Sequence, residues 1–323
     1  MAVVRLRPYC TDYIWGGEKL REEYGIEYDG KRLAEAWVLS CHKDGQSVID
    51  SGEFKGLKLS EYIEQKGQDI LGANHTRFEF FPIITKLIDA RENLSIQVHP
   101  YNSYALQEEG EFGKTEMWYI VEAGPDAQIY YGVNRGTDRQ EVAEMIANGT
   151  FTELLNAVPV KAGDCFYIPA GTIHAICKDV IVAEVQQNSN VTYRVYDYDR
   201  VDCNGNKREL HVQKALDVAR FEPNYSTRHF GNHLVRCNYF TTDVFKGNTT
   251  DEVTDRSFVS LVVLEGEGEL TFIENSEEKT LAIKKGESYF MDAASLGDKY
   301  NYELKGNKLC VLKTQIGKIE DIK

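Results

Sequence analysis

Gly163-Asp-Cys-Phe-Tyr-Ile-Pro169-Ala-Gly171-Thr-Ile-His174 is the stretch that decides how this chain is read. It has the form G-x5-P-x-G-x2-H. Gly163 turns the chain into a short β-rich run, Pro169 and Gly171 shape a tight bend, and His174 emerges just after it. The chain on either side reads the same way. Ala34–Ser40, Leu94–His99, Glu116–Glu122, Gln128–Tyr131, Ile181–Gln187 and Val191–Tyr196 are short, rich in Val, Ile, Tyr and Phe, and bounded by Gly, Asn or Asp. That is the strand-and-turn signature of an all-β sandwich or barrel. Helical spacing is confined to Leu59–Leu71, Thr137–Ala157 and His211–Arg220. The second of these opens on a Thr137-x-x-Gln140 capping box and places Val142, Met145 and Ile146 on one face.

The second half of the chain repeats part of the first. Ile120-Val-Glu-Ala-Gly lies on Val263-Leu-Glu-Gly-Glu with Val121 opposite Leu264, an offset of 143 residues. Val160-Lys-Ala-Gly-Asp-Cys-Phe-Tyr-Ile lies on Ile283-Lys-Lys-Gly-Glu-Ser-Tyr-Phe-Met, with Gly163 facing Gly286 at an offset of 123. The difference of 20 is about the length of Thr137–Ala157, which therefore reads as an insertion in the first copy. The expectation is two related β units with a few short helices inserted in the first.

The composition is that of a globular chain: 323 residues, 42% hydrophobic and 27% charged. The net charge of −14 and a sequence pI near 5.1 argue against nucleic acid or an anionic membrane as partners. A small anionic substrate is not excluded, because it feels the local field of a cleft. The seven cysteines, Cys10, Cys41, Cys165, Cys177, Cys203, Cys237 and Cys310, are odd in number and contain no C-x-x-C. They fit neither a disulfide framework nor a thiolate zinc site. The sequence shows no signal-peptide pattern and no stretch of transmembrane length, so the expected location is the cytoplasm.

The spacing around His174 matches the second motif of the cupin superfamily, and the chain resembles that group of small double-stranded β-helix barrels with one metal in the mouth. Such a site needs ligands from other strands. Gln97-Val98-His99 puts Gln97 and His99 on the same face of one strand, and Glu116 opens the next strand, preceded by Lys114. Two imidazoles and one carboxylate suit Zn²⁺ and also accept Fe²⁺ or Mn²⁺; an open position marks such a site as catalytic. At the repeat offsets, Gln97, His99 and Glu116 fall on Phe240, Thr242 and Val259, and Pro169, Gly171 and His174 on Asp292, Ala294 and Gly297. The expected division is a catalytic domain over 1–240 and a metal-free cupin-like β domain over 241–323.

Four runs carry a closer resemblance: Leu94-Ser-Ile-Gln-Val-His-Pro100, Lys114-Thr-Glu-Met-Trp-Tyr119, Tyr167-Ile-Pro-Ala-Gly-Thr-Ile-His174 and Asn188-Ser-Asn-Val-Thr-Tyr-Arg194-Val-Tyr-Asp-Tyr-Asp-Arg200. With Ile14-Trp-Gly-Gly17 and Glu35-Ala-Trp37 they are similar to the type I mannose-6-phosphate isomerases, in their short bacterial form, over about residues 5–240. The resemblance implies one Zn²⁺ per chain, held by His99, Glu116 and His174. Gln97 stands where longer members supply a fourth ligand, a place that water fills in the alternative. It also implies Lys114 and Arg194 as active-site residues and a sugar phosphate as the substrate. Longer members carry Lys-Pro-Glu where this chain has Lys114-Thr115-Glu116. A monomer or homodimer is expected.

The implied reaction interconverts mannose 6-phosphate and fructose 6-phosphate through a cis-enediol. A metal with an open position polarises the sugar oxygens, and a base moves the carbon-bound proton. Lys114, with its pKa depressed beside the metal, is the candidate base, with His99 and a metal-bound water as rivals. Arg194 stays cationic and stabilises oxygen charge, and Lys86 is a candidate for holding the phosphate. Two other classes remain open on the same residues: an Fe²⁺-dependent cupin oxygenase and a non-catalytic sugar-phosphate-binding cupin.

Overall fold

In the computed structural model, residues 2–201, 205–223 and 232–318 are described. Cys203 lies outside them, and the other six cysteines are free thiols. The chain is mainly β, as the sequence pattern requires. Eight strands form the first set: β1 (Ile83–Ala90), β2 (Ile96–Val98), β3 (Glu116–Ala123), β4 (Gln128–Val133), β5 (Leu155–Pro159), β6 (Cys165–Ile168), β7 (His174–Ile176) and β8 (Val180–Gln187). Eight more form the second: β9 (Phe240–Lys246), β10 (Thr249–Thr254), β11 (Val259–Glu265), β12 (Glu267–Glu274), β13 (Glu277–Lys284), β14 (Ser288–Met291), β15 (Lys299–Lys305) and β16 (Cys310–Ile316).

The two sets share one strand order. A large sheet runs β6-β3-β8-β1 in the first set and β14-β11-β16-β9 in the second. A small sheet runs β5-β4-β7-β2 and β13-β12-β15-β10. The sequence repeat is therefore present in the topology. β4 and β5 are joined through residues 134–154, β12 and β13 through residues 275–276, and this difference of 19 residues accounts for nearly all of the 20-residue shift in offset. By strand order β2 answers to β10. Carrying Gln97 and His99 onto Phe240 and Thr242 of β9 was thus a misplacement, caused by assuming a constant offset across connections of unequal length. Strand pairing also crosses the boundary drawn at residue 240. Val3–Arg7 and Val48–Ile49 form one edge of the second large sheet, and His233–Arg236 forms the other.

The layers follow from burial. All eight residues of β1 and of β8 are buried, as expected for strands covered on both faces. One face of the first large sheet, with Leu87, Met117, Tyr119 and Val185, packs against Phe258, Val262, Phe290 and Leu312 of the second. The other face, with Ile88, Trp118, Ile120 and Val182, closes on the small sheet. The far side of that small sheet is covered by helices Arg139–Ala147 and Val212–Val218. The second set encloses an apolar interior of Val259, Leu261, Val263, Leu270 and Tyr302.

Helices are short. Leu59–Lys66 is helical and runs into a 3-10 turn at Gln68–Leu71. Thr137–Ala157 is not one helix. The α-helix stops at Ala147, Gly149 takes φ +72°, and Leu155–Pro159 is strand β5. Its N-cap is Asp138, which accepts the Glu141 N–H. Thr137 lies one residue outside because its own N–H donates to Phe221 O. No helix among the described residues is long and apolar enough to cross a membrane.

Candidate metal centre and its cavity

The bend that opens the sequence reading organises the site. Thr172 N–H donates to Pro169 O, and Gly171 sits at φ +88°, a conformation costly for other residues. A Cβ there would lie 2.9 Å from Val218 O. Gly171 N–H in turn donates to His99 O at 2.8 Å, so the bend before His174 is tied to the end of the strand carrying His99. Glu116 opens β3, opposite Ile168 of β6 and Gln186 of β8. Thr115 uses both its N–H and its hydroxyl. Its N–H donates to Gln187 Oε1 at 2.8 Å, and its hydroxyl accepts from Ala170 N–H at 3.3 Å.

His99, Glu116 and His174 converge with their ligand atoms within 4.8 Å of one another, all three buried. His99 Nδ1 is 2.9 Å from Val191 O, and His174 Nδ1 is 2.8 Å from Thr172 O. A carbonyl only accepts, so both Nδ1 atoms carry the proton and both Nε2 atoms present lone pairs. Those lone pairs face carboxylate oxygens: His99 Nε2 lies 3.4 Å from one Glu116 oxygen, and His174 Nε2 lies 3.3 Å from the other. Neither Nε2 has a hydrogen-bond partner. Acceptors aimed at one another in a dry interior are unfavourable by themselves and favourable around a cation. The donor set therefore fits a divalent metal. Burial, reinforced by the Lys114 charge, pushes His99 down to about 3, and burial lowers His174, so both rings are neutral and ready to ligate. Burial opposes ionisation of Glu116, but Lys114 foremost holds its carboxyl well below the usual range.

Beside this centre a row of side chains crosses the large sheet on its inner face: Phe166, Trp118, Glu184, Lys86 and Trp37 are successive cross-strand partners. Trp118 Nε1 donates to Glu184 at 2.8 Å, and Trp37 Nε1 donates to Glu35 at 2.7 Å. Lys114 Nζ lies 2.8 Å from Glu116 and 3.6 Å from Glu184; Lys86 Nζ lies 3.2 Å from Glu35 and 3.8 Å from Glu184. Burial alone would lower the Lys114 pKa, but Glu116 and Glu184 outweigh it and raise it. This runs against the expected depression. Burial and the Glu116 charge push Glu184 up. In the second set, the register puts Tyr289, Leu261, Lys313 and Asp243 in the matching row, and Val259 stands where Glu116 does.

A cavity of about 240 Å³ adjoins the centre, and Gln97, Lys86, Lys114, Glu184 and Arg194 all border it. Gln97 is the cross-strand partner of both His174 and Arg194. Arg194 donates from Nε to Ser95 Oγ and from Nη1 to Glu209 O. The fold thus brings the triad, Lys114, Gln97 and Arg194 together around one cavity. Lys86 faces the cavity but is committed to two carboxylates and lies 4.6 Å from the centroid of the Trp37 ring, a poor arrangement for capturing a phosphate. Glu184, Glu35, Arg208 and His211 were missed. Strand alternation puts Glu184 on one face with Gln186, but the run Val180-Ile-Val-Ala-Glu-Val185 reads as core and does not mark it.

Residues 3–121 match the family described as phosphomannose isomerase type I, catalytic domain. The chain is 38% identical to mannose-6-phosphate isomerase ManA of Bacillus subtilis over 95% of its own length and 96% of that protein. It is 46% identical to a mannose-6-phosphate isomerase of Streptococcus mutans over 64% of each chain. Its fold matches the crystal structure of the Bacillus subtilis mannose 6-phosphate isomerase with a TM-score of 0.86 at 35% identity, covering 97% of this chain and 99% of the other.

Proposed function

We propose, from the premise that this chain belongs to the type I mannose-6-phosphate isomerase family, that it interconverts mannose 6-phosphate and fructose 6-phosphate with one Zn²⁺ per chain. The observation that carries the metal is the pair of neutral histidines whose unpartnered Nε2 atoms face a buried carboxylate. His99, Glu116 and His174 would hold the ion, with Gln97 or water completing the shell, and two nitrogens with one carboxylate suit zinc. When bound, the ion supplies Lewis-acid polarisation of the sugar oxygens.

The remaining chemistry belongs to the side chains. Isomerisation moves a proton between C1 and C2 and shifts a proton between their oxygens. Glu184 is placed to carry the carbon-bound proton. It borders the cavity, its Oε1 lacks a hydrogen-bond partner, and its pKa is raised by burial and by Glu116. Lys114, held protonated by its two carboxylates, serves as a fixed cation toward enediolate oxygen. Arg194 does the same from across Gln97.

The shared strand order supports reading the chain as two cupin-like units, a catalytic one over 1–240 and a metal-free one over 241–323, with Val3–Arg7 and Val48–Ile49 lent to the second. The six free thiols among the described residues support a cytoplasmic enzyme, and a monomer or homodimer is proposed for it. The test is a coupled assay for fructose 6-phosphate from mannose 6-phosphate after chelation and again after zinc is returned. Turnover lost and then restored supports the reading. Oxygen consumption with no fructose 6-phosphate would overturn it.

A further inference from the structure

The cations that border the cavity fall into two groups. Lys86 and Lys114 are matched by Glu35, Glu184 and Glu116. The arginines are matched only in part. Asp197, buried, is the only carboxylate among the described residues paired with Arg194, Arg200 or Arg208, and it takes Arg200 and Arg208. Arg208 donates to it from both Nε, at 2.8 Å, and Nη2. Arg200 spends its remaining donors on Asn93 O and Asp197 O and does not border the cavity. Among the described residues the Arg194 guanidinium bonds only to the neutral acceptors Ser95 Oγ and Glu209 O. Arg208 Nη1 has no acceptor among the described residues.

Depth separates the two groups as well. The side chains of Lys114 and Glu184 are 7% and 4% exposed, and that of Arg208 is 26% exposed. The cavity therefore has a charge-balanced inner end beside the metal ligands and an outer end with excess positive charge. His211, Thr192 and Asn190 border the cavity as well. Arg208, fixed by a buried carboxylate along one edge, keeps a free side with forked donors of the kind that bind phosphate oxygens two at a time. A guanidinium already gripped on one side loses little side-chain entropy when it takes a ligand on the other.

We propose that Arg208, positioned by Asp197, is a specificity-determining residue that binds the phosphate monoester of the substrate at the outer end of the cavity, leaving Arg194 to the sugar oxygens, while the sugar's C1–C2 end lies at the metal centre. This rests on the isomerase reading for the identity of the anion and on the arginine cluster for its place. Phosphate binding made equally in ground and transition states changes KM more than kcat.

The experiment compares wild type with Arg208→Ala and Arg208→Lys. It measures steady-state kinetics on mannose 6-phosphate, competitive inhibition by inorganic phosphate, and metal content. Losing charge-assisted hydrogen bonds to a phosphate predicts a rise in KM of about 10- to 100-fold. The inhibition constant for phosphate should rise in parallel, with kcat within about 3-fold of wild type and metal content unchanged. Arg208→Lys should recover part of the loss, since it keeps the charge without the fork. Unchanged KM and phosphate inhibition in both variants would overturn the proposal, as would a fall in kcat with loss of metal. Titrating inorganic phosphate into the proteins by calorimetry separates the two readings. Binding that depends on Arg208 in a wild-type protein with no turnover keeps the anion site and removes the isomerase. Turnover with Arg208-independent binding removes the anion site alone.

Discussion

Replacing Lys114 with methionine isolates the ion pair at the heart of the site. The side chain is nearly fully buried, with its ammonium 2.8 Å from Glu116 and 3.6 Å from Glu184. At an effective dielectric near 20 the gross attractions are about 6 and about 5 kcal/mol, against a desolvation cost of several kcal/mol for each ion. Methionine has similar length and packs well, so the net cost is that of breaking a buried pair, about 3–5 kcal/mol. We expect the lower end, about 3 kcal/mol, because Glu184 keeps Lys86 as a partner and can take up a proton. For a chain of this size that lowers Tm by about 4–5 °C. The raised Lys114 pKa means its contribution is fully present below the unfolded lysine value and is lost only as pH rises through the folded one. The depressed Glu116 pKa means its share is present above the unfolded glutamate value and is lost as pH falls through the lower folded one. The gap between variant and wild type is therefore fully developed near pH 8 and closes in acid. Calorimetric unfolding of both proteins in chelator, across pH, measures it. Added zinc should narrow the gap by giving Glu116 a second cation. Equal stability of the two metal-free proteins near pH 8 would refute the reasoning, because Lys114 would then contribute nothing as an ion-paired cation.

The other expectations are briefer. His174→Ala should bind no stoichiometric metal and show no isomerase activity, read by metal analysis and the coupled assay; full metal occupancy would count against the ligand set. Glu184→Gln should keep its metal but lose about 10²- to 10⁴-fold in kcat, the range for a general base; a near-normal kcat would reassign the proton carrier. Arg194→Ala should lower kcat with metal content unchanged, and loss of metal would make it structural instead. Gly171→Ala should cost about 1–3 kcal/mol in thermal unfolding, since both its φ and the Val218 carbonyl oppose a side chain, and should weaken metal binding through the shifted His174.

Much of this site was legible because its residues sit at strand ends and bends with fixed spacing. The Pro169–Gly171 bend makes His174 recognisable, and alternation puts Gln97 beside His99. The repeat was legible through its glycine turns, which recur in chemically similar runs. What escaped has a physical reason in each case. Glu184 lies mid-strand in Val180–Gln187, where hydropathy reads as core and only the strand's partners show the acidic side chain facing two lysines. The direction of the Lys114 pKa is set by burial, by Glu116 and by Glu184, and of these the burial and Glu184, 70 residues away, do not show in the local sequence. The Thr137–Ala157 helix was overrun because helical spacing at Val142, Met145 and Ile146 does not reveal that Leu155 pairs with Val133. Arg208 gains meaning only once Asp197 is seen to grip one edge of it.

The most direct test of the account is a zinc titration of the chelated protein, with the initial rate of fructose 6-phosphate formation as the readout. The account predicts no activity without metal, a linear rise, and a sharp break at one zinc per chain that vanishes in His174→Ala. Turnover that survives chelation, or that rises with no break at one equivalent, would contradict a single catalytic metal among His99, Glu116 and His174.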